Sequence, residues 1–200
     1  MTKAAHIIGN GFTASLFRHE DPGMKVTCNL PPFPVKALHT YMVDYKMMFA
    51  IQEGSLTVPG DWVLGFRPKD FCNRTPAFYL KHASQIKEWY THLPSYAPSY
   101  RDFNCGHVAA HHVATKYKPD VIYMYGFDSI FDFDLRSCTD FYLFSNRDRG
   151  TTHRLSENWR LIWPALFKEF SDTKFVLVGK HKDLKIEIPD NVEVEVRSKK

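Results

Sequence analysis

Two glycine-bearing turns, Gly9-Asn10-Gly11 and Asn104-Cys105-Gly106, stand where apolar runs give way to helical periodicity. Glycine at such a junction lets the backbone approach a bulky group. The unpaired N–H groups of the helix start then favour negative charge, so a phosphate is the natural guest. The first turn lacks the third glycine of the dinucleotide fingerprint and the Lys and Ser/Thr of a P-loop, which leaves a plain tight turn as its alternative. For the second turn the alternative is an ordinary N-cap, with Asn104 or the Cys105 thiol satisfying backbone donors. In an open parallel sheet, ligands bind beyond the carboxyl ends of the strands. That rule gathers Gly9, Asn10, Gly11, Asn29, Asp44, Asn104, Cys105, Gly106 and Gly126-Phe127-Asp128 onto one rim where a ligand would bind.

Other reactive constellations are weaker. His107 and His111 share a helix flank at the spacing of a metal pair, with His112 beside them, but no third ligand lies near, and the flank reads as polar. Asp132 and Asp134 are two apart and would face one way in an extended segment, the best local place for a divalent cation. No GxSxG motif supports a serine hydrolase, and a Cys-His hydrolase would need Cys105 and a distant histidine. The segment from Ser95 to Phe103 (SYAPSYRDF) could stack on a base or pack as a loop against the sheet.

The elements that must position these residues are short. Ala4–Ile8, Met24–Cys28, Thr40–Tyr45, Asp61–Phe66, Val121–Tyr125 and Lys174–Gly179 read as strands. Asn191–Val196 alternates like an edge strand that a second subunit could pair with. Val121–Tyr125 is apolar throughout, as strands buried on both faces are. Helical spacing covers 12–17, 46–52, 77–93, 106–117 and 155–170, the last interrupted by Pro164. Three prolines over 29–34 force a loop, 94–103 is a loop, and 129–153 has no sustained period. Strands alternating with helices predict an α/β fold, a Rossmann-like three-layer sandwich with a mainly parallel sheet, in a single domain spanning 1–200.

Composition agrees. The chain has 200 residues, 44% of them hydrophobic and 24% charged, enough to bury a core without disulfides or a structural metal. Twenty-six basic against 22 acidic residues leave a mild +4, which permits an anionic ligand and leaves a nucleic-acid acceptor open. Cys28, Cys72, Cys105 and Cys138 are widely spaced and suit free thiols. No apolar run reaches the length of a membrane span or a signal peptide, and a cytoplasmic location is expected.

The pieces HIIGNGFTASLF (6–17), TCN (27–29), RDFNCGHVAAHHVATKYKPDVIYMYGFDS (101–129) and GTTHRLSENW (150–159) occur in an order that resembles the bacterial sialyltransferases of the Campylobacter type. The order is also similar to the related Rossmann-like motility-accessory and hydroxymethylpterin diphosphokinase group. The resemblance implies a metal-independent, inverting glycosyltransferase that takes a CMP-sugar-like donor and an unidentified hydroxyl acceptor. In it Gly9, Asn10 and Gly11 lie against the phosphate, Asn29 contacts the nucleotide, Asn104-Cys105-Gly106 holds base and ribose, and His153 is the general base. An imidazole with a pKa near 6.5 suits that task. The chain departs from the family pattern at Phe12-Thr13 and Asp44-Tyr45. Phosphate-steadying tyrosines have no clear counterpart, and Arg136, Tyr142 and Arg147 are the substitutes at hand. Two alternatives stand beside this expectation. One is a Rossmann-like module that binds a nucleotide or partner without catalysis. The other is a diphosphokinase-like transferase whose Mg²⁺ would sit on Asp128, Asp132 and Asp134.

Overall fold

The computed structural model describes residues 2–132 and 149–199, with the backbone alone over 149–156. Eight strands form one sheet: β1 (Ala4–Ile8), β2 (Met24–Cys28), β3 (His39–Met42), β4 (Trp62–Leu64), β5 (Ile86–Trp89), β6 (Val121–Tyr125), β7 (Lys174–Gly179) and β8 (Val192–Val196). Their spatial order is β5-β4-β3-β2-β1-β6-β7-β8, and every neighbouring pair is parallel. The helices are α1 (Tyr45–Glu53), α2 (Phe66–Arg74), α3 (Pro76–His82), α4 (Cys105–Tyr117) and α5 (Arg149–Glu169), with short 3-10 helices at Phe12–Leu16 and Asp128–Ile130. This is a Rossmann-like α/β sandwich. No helix among the described residues is long and apolar enough to cross a membrane.

Strand alternation divides the core between the two faces of the sheet. Ala5 and Ile7 of β1, with Ile122 and Met124 of β6, meet α4 and the Ile162, Trp163, Leu166 and Phe167 stripe of α5. On the opposite face Ile8, Tyr125, Val176 and Val178 pack under Ala14, Leu16 and Phe17. Farther along that face, Met42, Trp62 and Leu64 pack under α1, α2 and α3. Helix α4 is buried nearly all round because it lies between the sheet and α5.

Several elements differ from expectation. The 77–93 helix does not exist as such: α3 ends at His82, and β5 follows. Ile86 and Trp89, three apart, fit helical spacing; in β5 they reach one cluster because the register skips Lys87 between Ile86 and Glu88. Gln85 settles the choice by donating from its side chain to Val58 O and Gly60 O, while Trp62 N donates to Gln85 O. Helix α2 was hidden by Pro68, which sits in its first turn, where a missing N–H costs nothing. The third strand stops at Met42, and α1 begins at Tyr45 rather than Lys46. Helix α5 begins at Arg149, inside the stretch expected to be aperiodic, and it continues through Pro164.

Candidate functional site

From β1 the chain runs outward to β5, returns to β6 against the other side of β1, and runs outward again to β8. The crevice beyond the carboxyl ends of β1 and β6 is therefore the topological switch point, where open α/β sheets place their ligands. Gly9-Asn10-Gly11 leaves β1 there and Gly126-Phe127-Asp128 leaves β6. The two turns are tied by Gly9 N to Tyr125 O at 2.7 Å and Gly11 N to Gly126 O at 2.8 Å. A Cβ on Gly11 would lie 2.5 Å from both the Gly126 carbonyl oxygen and Asp128 Cγ, so close approach and not a turn angle demands glycine here.

The anion expected at this helix start is present, and it belongs to the protein. Asp128, 4% exposed, accepts from Phe12 N at 2.5 Å and from Thr13 N at 3.2 Å, and the Thr13 hydroxyl donates to it as well. The N–H groups at the start of the 3-10 helix are thus held by an internal carboxylate, where the sequence suggested an outward-facing phosphate seat. Both carboxylate oxygens face these donors, so Asp128 does not fit the part of a Mg²⁺ ligand. Among the described residues no group of three or more His, Cys, Asp or Glu is arranged to hold a metal ion.

The second glycine turn does lie beside the first. A Cβ on Gly106 would be 2.5 Å from Phe127 Cε1, and one on Gly9 would be 3.4 Å from Phe127 Cε2. The Phe127 ring therefore fills the room between the two turns, itself buried edge-on against Trp163 at 5.4 Å between centroids. Gly106 is small to admit this ring.

Asn104 acts as a true N-cap. Its Oδ1 accepts from His107 N at 3.0 Å, and His107 Nδ1 accepts from Asn104 N at 3.0 Å, a reciprocal capping box with histidine in the usual Glu/Gln position. His107 is wholly buried, its other nitrogen bonds Trp159 O at 3.1 Å, and burial pushes its pKa down to about 3. The Cys105 thiol donates to Tyr41 O at 3.0 Å. Burial and the adjoining Cys28 thiol raise its pKa far above the ordinary range, so it is not a nucleophile.

Asn10 and Asn29 form a hydrogen-bonded pair on the rim. Asn10 Nδ2 donates to Cys28 O at 2.9 Å and Leu30 O at 3.0 Å, which fixes its amide, and its Oδ1 accepts from Asn29 Nδ2 at 3.0 Å. Asn29 has left-handed backbone, φ 52°, a conformation Asn tolerates better than most residues. With its NH₂ so committed, Asn29 Oδ1 is a buried acceptor without a partner.

His153 falls within α5, and its side chain lies outside the described residues. Asp134, Arg136, Cys138, Tyr142 and Arg147 also lie outside them. Asp132 is exposed, and its carbonyl accepts from Arg160 Nη2 at 2.7 Å.

Sequence reasoning missed a shallow cleft beyond the ends of β3, β4 and β5, bounded by Val43, Phe66, Arg67, Tyr90, His92 and Tyr100. Arg67 Nη2 pairs with Asp44 Oδ1 at 2.8 Å, and the Phe66 and Tyr100 rings stack at 4.5 Å. Asp44 and the 95–103 segment carried a signal. Arg67 and His92 carried none, because each stands alone in sequence. His107, His111 and His112, read as a polar flank, are instead buried, 0%, 3% and 1% exposed.

Compared with protein-family models, curated proteins and solved structures, the chain matches none.

Proposed function

We propose that this protein is a nucleotide-dependent transferase, a metal-independent inverting glycosyltransferase that takes a CMP-sugar-like donor at the carboxyl-terminal rim. The observation that carries this reading is Asn29. It stands beside the switch point with its amide immobilised by Asn10, and its Oδ1 is buried without a partner. An unpaired buried acceptor costs free energy unless a ligand completes it. The exocyclic amine of cytosine or a ribose hydroxyl is a donor of the right kind. The likeness of 6–17, 27–29, 101–129 and 150–159 to sialyltransferase motifs supports the same reading. Phosphate contacts would fall outside the Phe12 and Thr13 N–H groups, since Asp128 holds those.

In the transfer step the acceptor oxygen attacks the anomeric carbon and its proton passes to the His153 imidazole. The bond between that carbon and the phosphate oxygen breaks, and the nucleotide leaves with the electron pair. Melting with CMP, UMP, AMP and GMP tests binding. A cytidine nucleotide at about 100 times its Kd should add roughly 2.7 kcal/mol of stability. Asn29→Ala should lose that shift. If none of the four nucleotides moves the wild-type transition, the reading fails. His153→Ala should keep the nucleotide shift and lose sugar transfer, and retained turnover would remove His153 from the mechanism.

A second reading, a binding module without catalysis, is favoured by Phe127 filling the gap between the glycine turns and by Asp128 occupying the anion seat. Nucleotide stabilisation without turnover in the wild-type chain would select it.

A further inference from the structure

His111 and His112, consecutive on α4, each stand between a tyrosine and a glutamate. His111 Nε2 faces Glu169 Oε2 at 2.9 Å while its Nδ1 meets the Tyr90 hydroxyl at 2.5 Å. His112 Nε2 faces Glu88 Oε2 at 3.0 Å while its Nδ1 meets the Tyr41 hydroxyl at 2.6 Å. A carboxylate only accepts, so His111 Nε2 carries the proton toward Glu169; His112 Nε2 lies close to Glu88 without an aligned hydrogen bond to it, and each Nδ1 offers its lone pair to a phenol O–H. His39 Nε2 then donates to Tyr41 Oη at 2.9 Å, Tyr96 donates to Glu169 Oε1 at 2.8 Å, and Lys116 donates to Glu88 at 2.8 Å. Thr115 Oγ1 approaches His111 Nδ1 at 3.5 Å. The pattern works only with neutral imidazoles.

These bonds fasten a weak part of the fold. Strand β5 lies at the sheet edge, pairs only with β4, and has a register irregularity opposite Trp62 and Val63. Its side chain Glu88, and Tyr90 just beyond it, reach α4 through the two histidines, and Glu169 of α5 closes the junction. Four histidines crowd here, since the His92 ring lies tilted 4.8 Å from His111 and His39 lies 5.9 Å from His112. Opposing them are two carboxylates, one already shared with Lys116. With Glu88, Glu169 and Lys116 beside them, protonating His111 and His112 turns a net negative cluster net positive and puts both new charges on buried side chains, where like charges repel most.

We propose that this cluster is an acid-sensitive clasp: protonation of His111 and His112 detaches β5 and the segment after it from α4 and α5, moving Tyr90 and His92, which wall the cleft. Burial already holds both imidazoles below their ordinary range and puts His39 at about 4. The closed form therefore takes up fewer protons than the open one. The closed form is favoured above about pH 6.5 and loses ground as pH falls below it, by at most about a hundredfold per pH unit for two histidines. Nucleotide binding is not required for this behaviour.

NMR amide spectra of the full chain between pH 7.5 and 4.5 test the clasp. Amides of 86–92 and Tyr96 should shift or broaden as pH falls, while those of β1, β6 and β7 stay in place. The His111→Gln/His112→Gln double variant keeps a donor toward each glutamate and an acceptor toward each tyrosine without titrating, so it should remain closed throughout. Glu169→Gln removes a compensating charge and should move the opening to higher pH; it serves as the second probe should the double variant not fold. Unchanged β5 amides, loss of β5 only together with β1 and β6, wild-type behaviour of a folded double variant, or a Glu169→Gln midpoint that fails to rise would each overturn the proposal.

Discussion

At the scale of single residues, the rim is governed by what each small or polar side chain must admit. Gly11 admits the Asp128 carboxylate and the Gly126 carbonyl, and Gly106 admits the Phe127 ring. The two differ in what a methyl group would strike. Gly11→Ala meets backbone and a buried carboxylate, neither of which can retreat, and should cost about 1–3 kcal/mol in denaturant unfolding. Asp128→Asn would turn one of the two oxygens that accept from Phe12 N and Thr13 N into an NH₂ group. About 1–3 kcal/mol should be lost, seen as a lower denaturation midpoint at unchanged slope. The glycines and Asp128 were legible in the sequence as a strand-end pattern. That Asp128 would face the Phe12 and Thr13 donors was not, because the pairing joins residues more than a hundred positions apart.

Elements show the same division between local signal and tertiary choice. Helix α4 was legible nearly to the residue, because Asn104 and Gly106 mark its start and its apolar positions recur at helical spacing. Helix α3 and strand β5 merged into one expected helix, since a strand of four residues offers too few positions to separate a period of two from 3.6. Two prolines make a matched test of position within a helix. Pro68 lies in the first turn of α2, where its missing N–H has no intrahelical partner to lose, so Pro68→Ala should change the melting temperature little. Pro164 lies inside α5, where it removes a hydrogen bond. Pro164→Ala should stabilise by about 1 kcal/mol or more, read as a raised melting temperature.

Over the whole molecule, histidine burial sets the acid limit of the fold. Desolvation lowers the pKa of His6, His111 and His112, places His39 at about 4 and places His107 at about 3. Each regains a value near 6.5 when the chain unfolds, so the unfolded state binds more protons below that pH. Stability should be level above about pH 7 and fall steadily from 6.5 toward 4, measured as the urea midpoint at each pH. A midpoint unchanged over that range would mean these imidazoles are solvated in the native state. Taken alone, the sequence determined the class of the fold, the apolar strands at its centre and the glycine turns at their ends, because those follow from periodicity and from the backbone freedom of a few residues. Tertiary structure alone decided what stands opposite each turn. Phe127 and Asp128 fill the space near Gly9, Gly11 and Gly106, Asn10 immobilises Asn29, and His6, His39, His107, His111 and His112 enter the interior. Each outcome depends on which distant group arrives with a complementary donor, acceptor or shape, and no local pattern encodes that arrival.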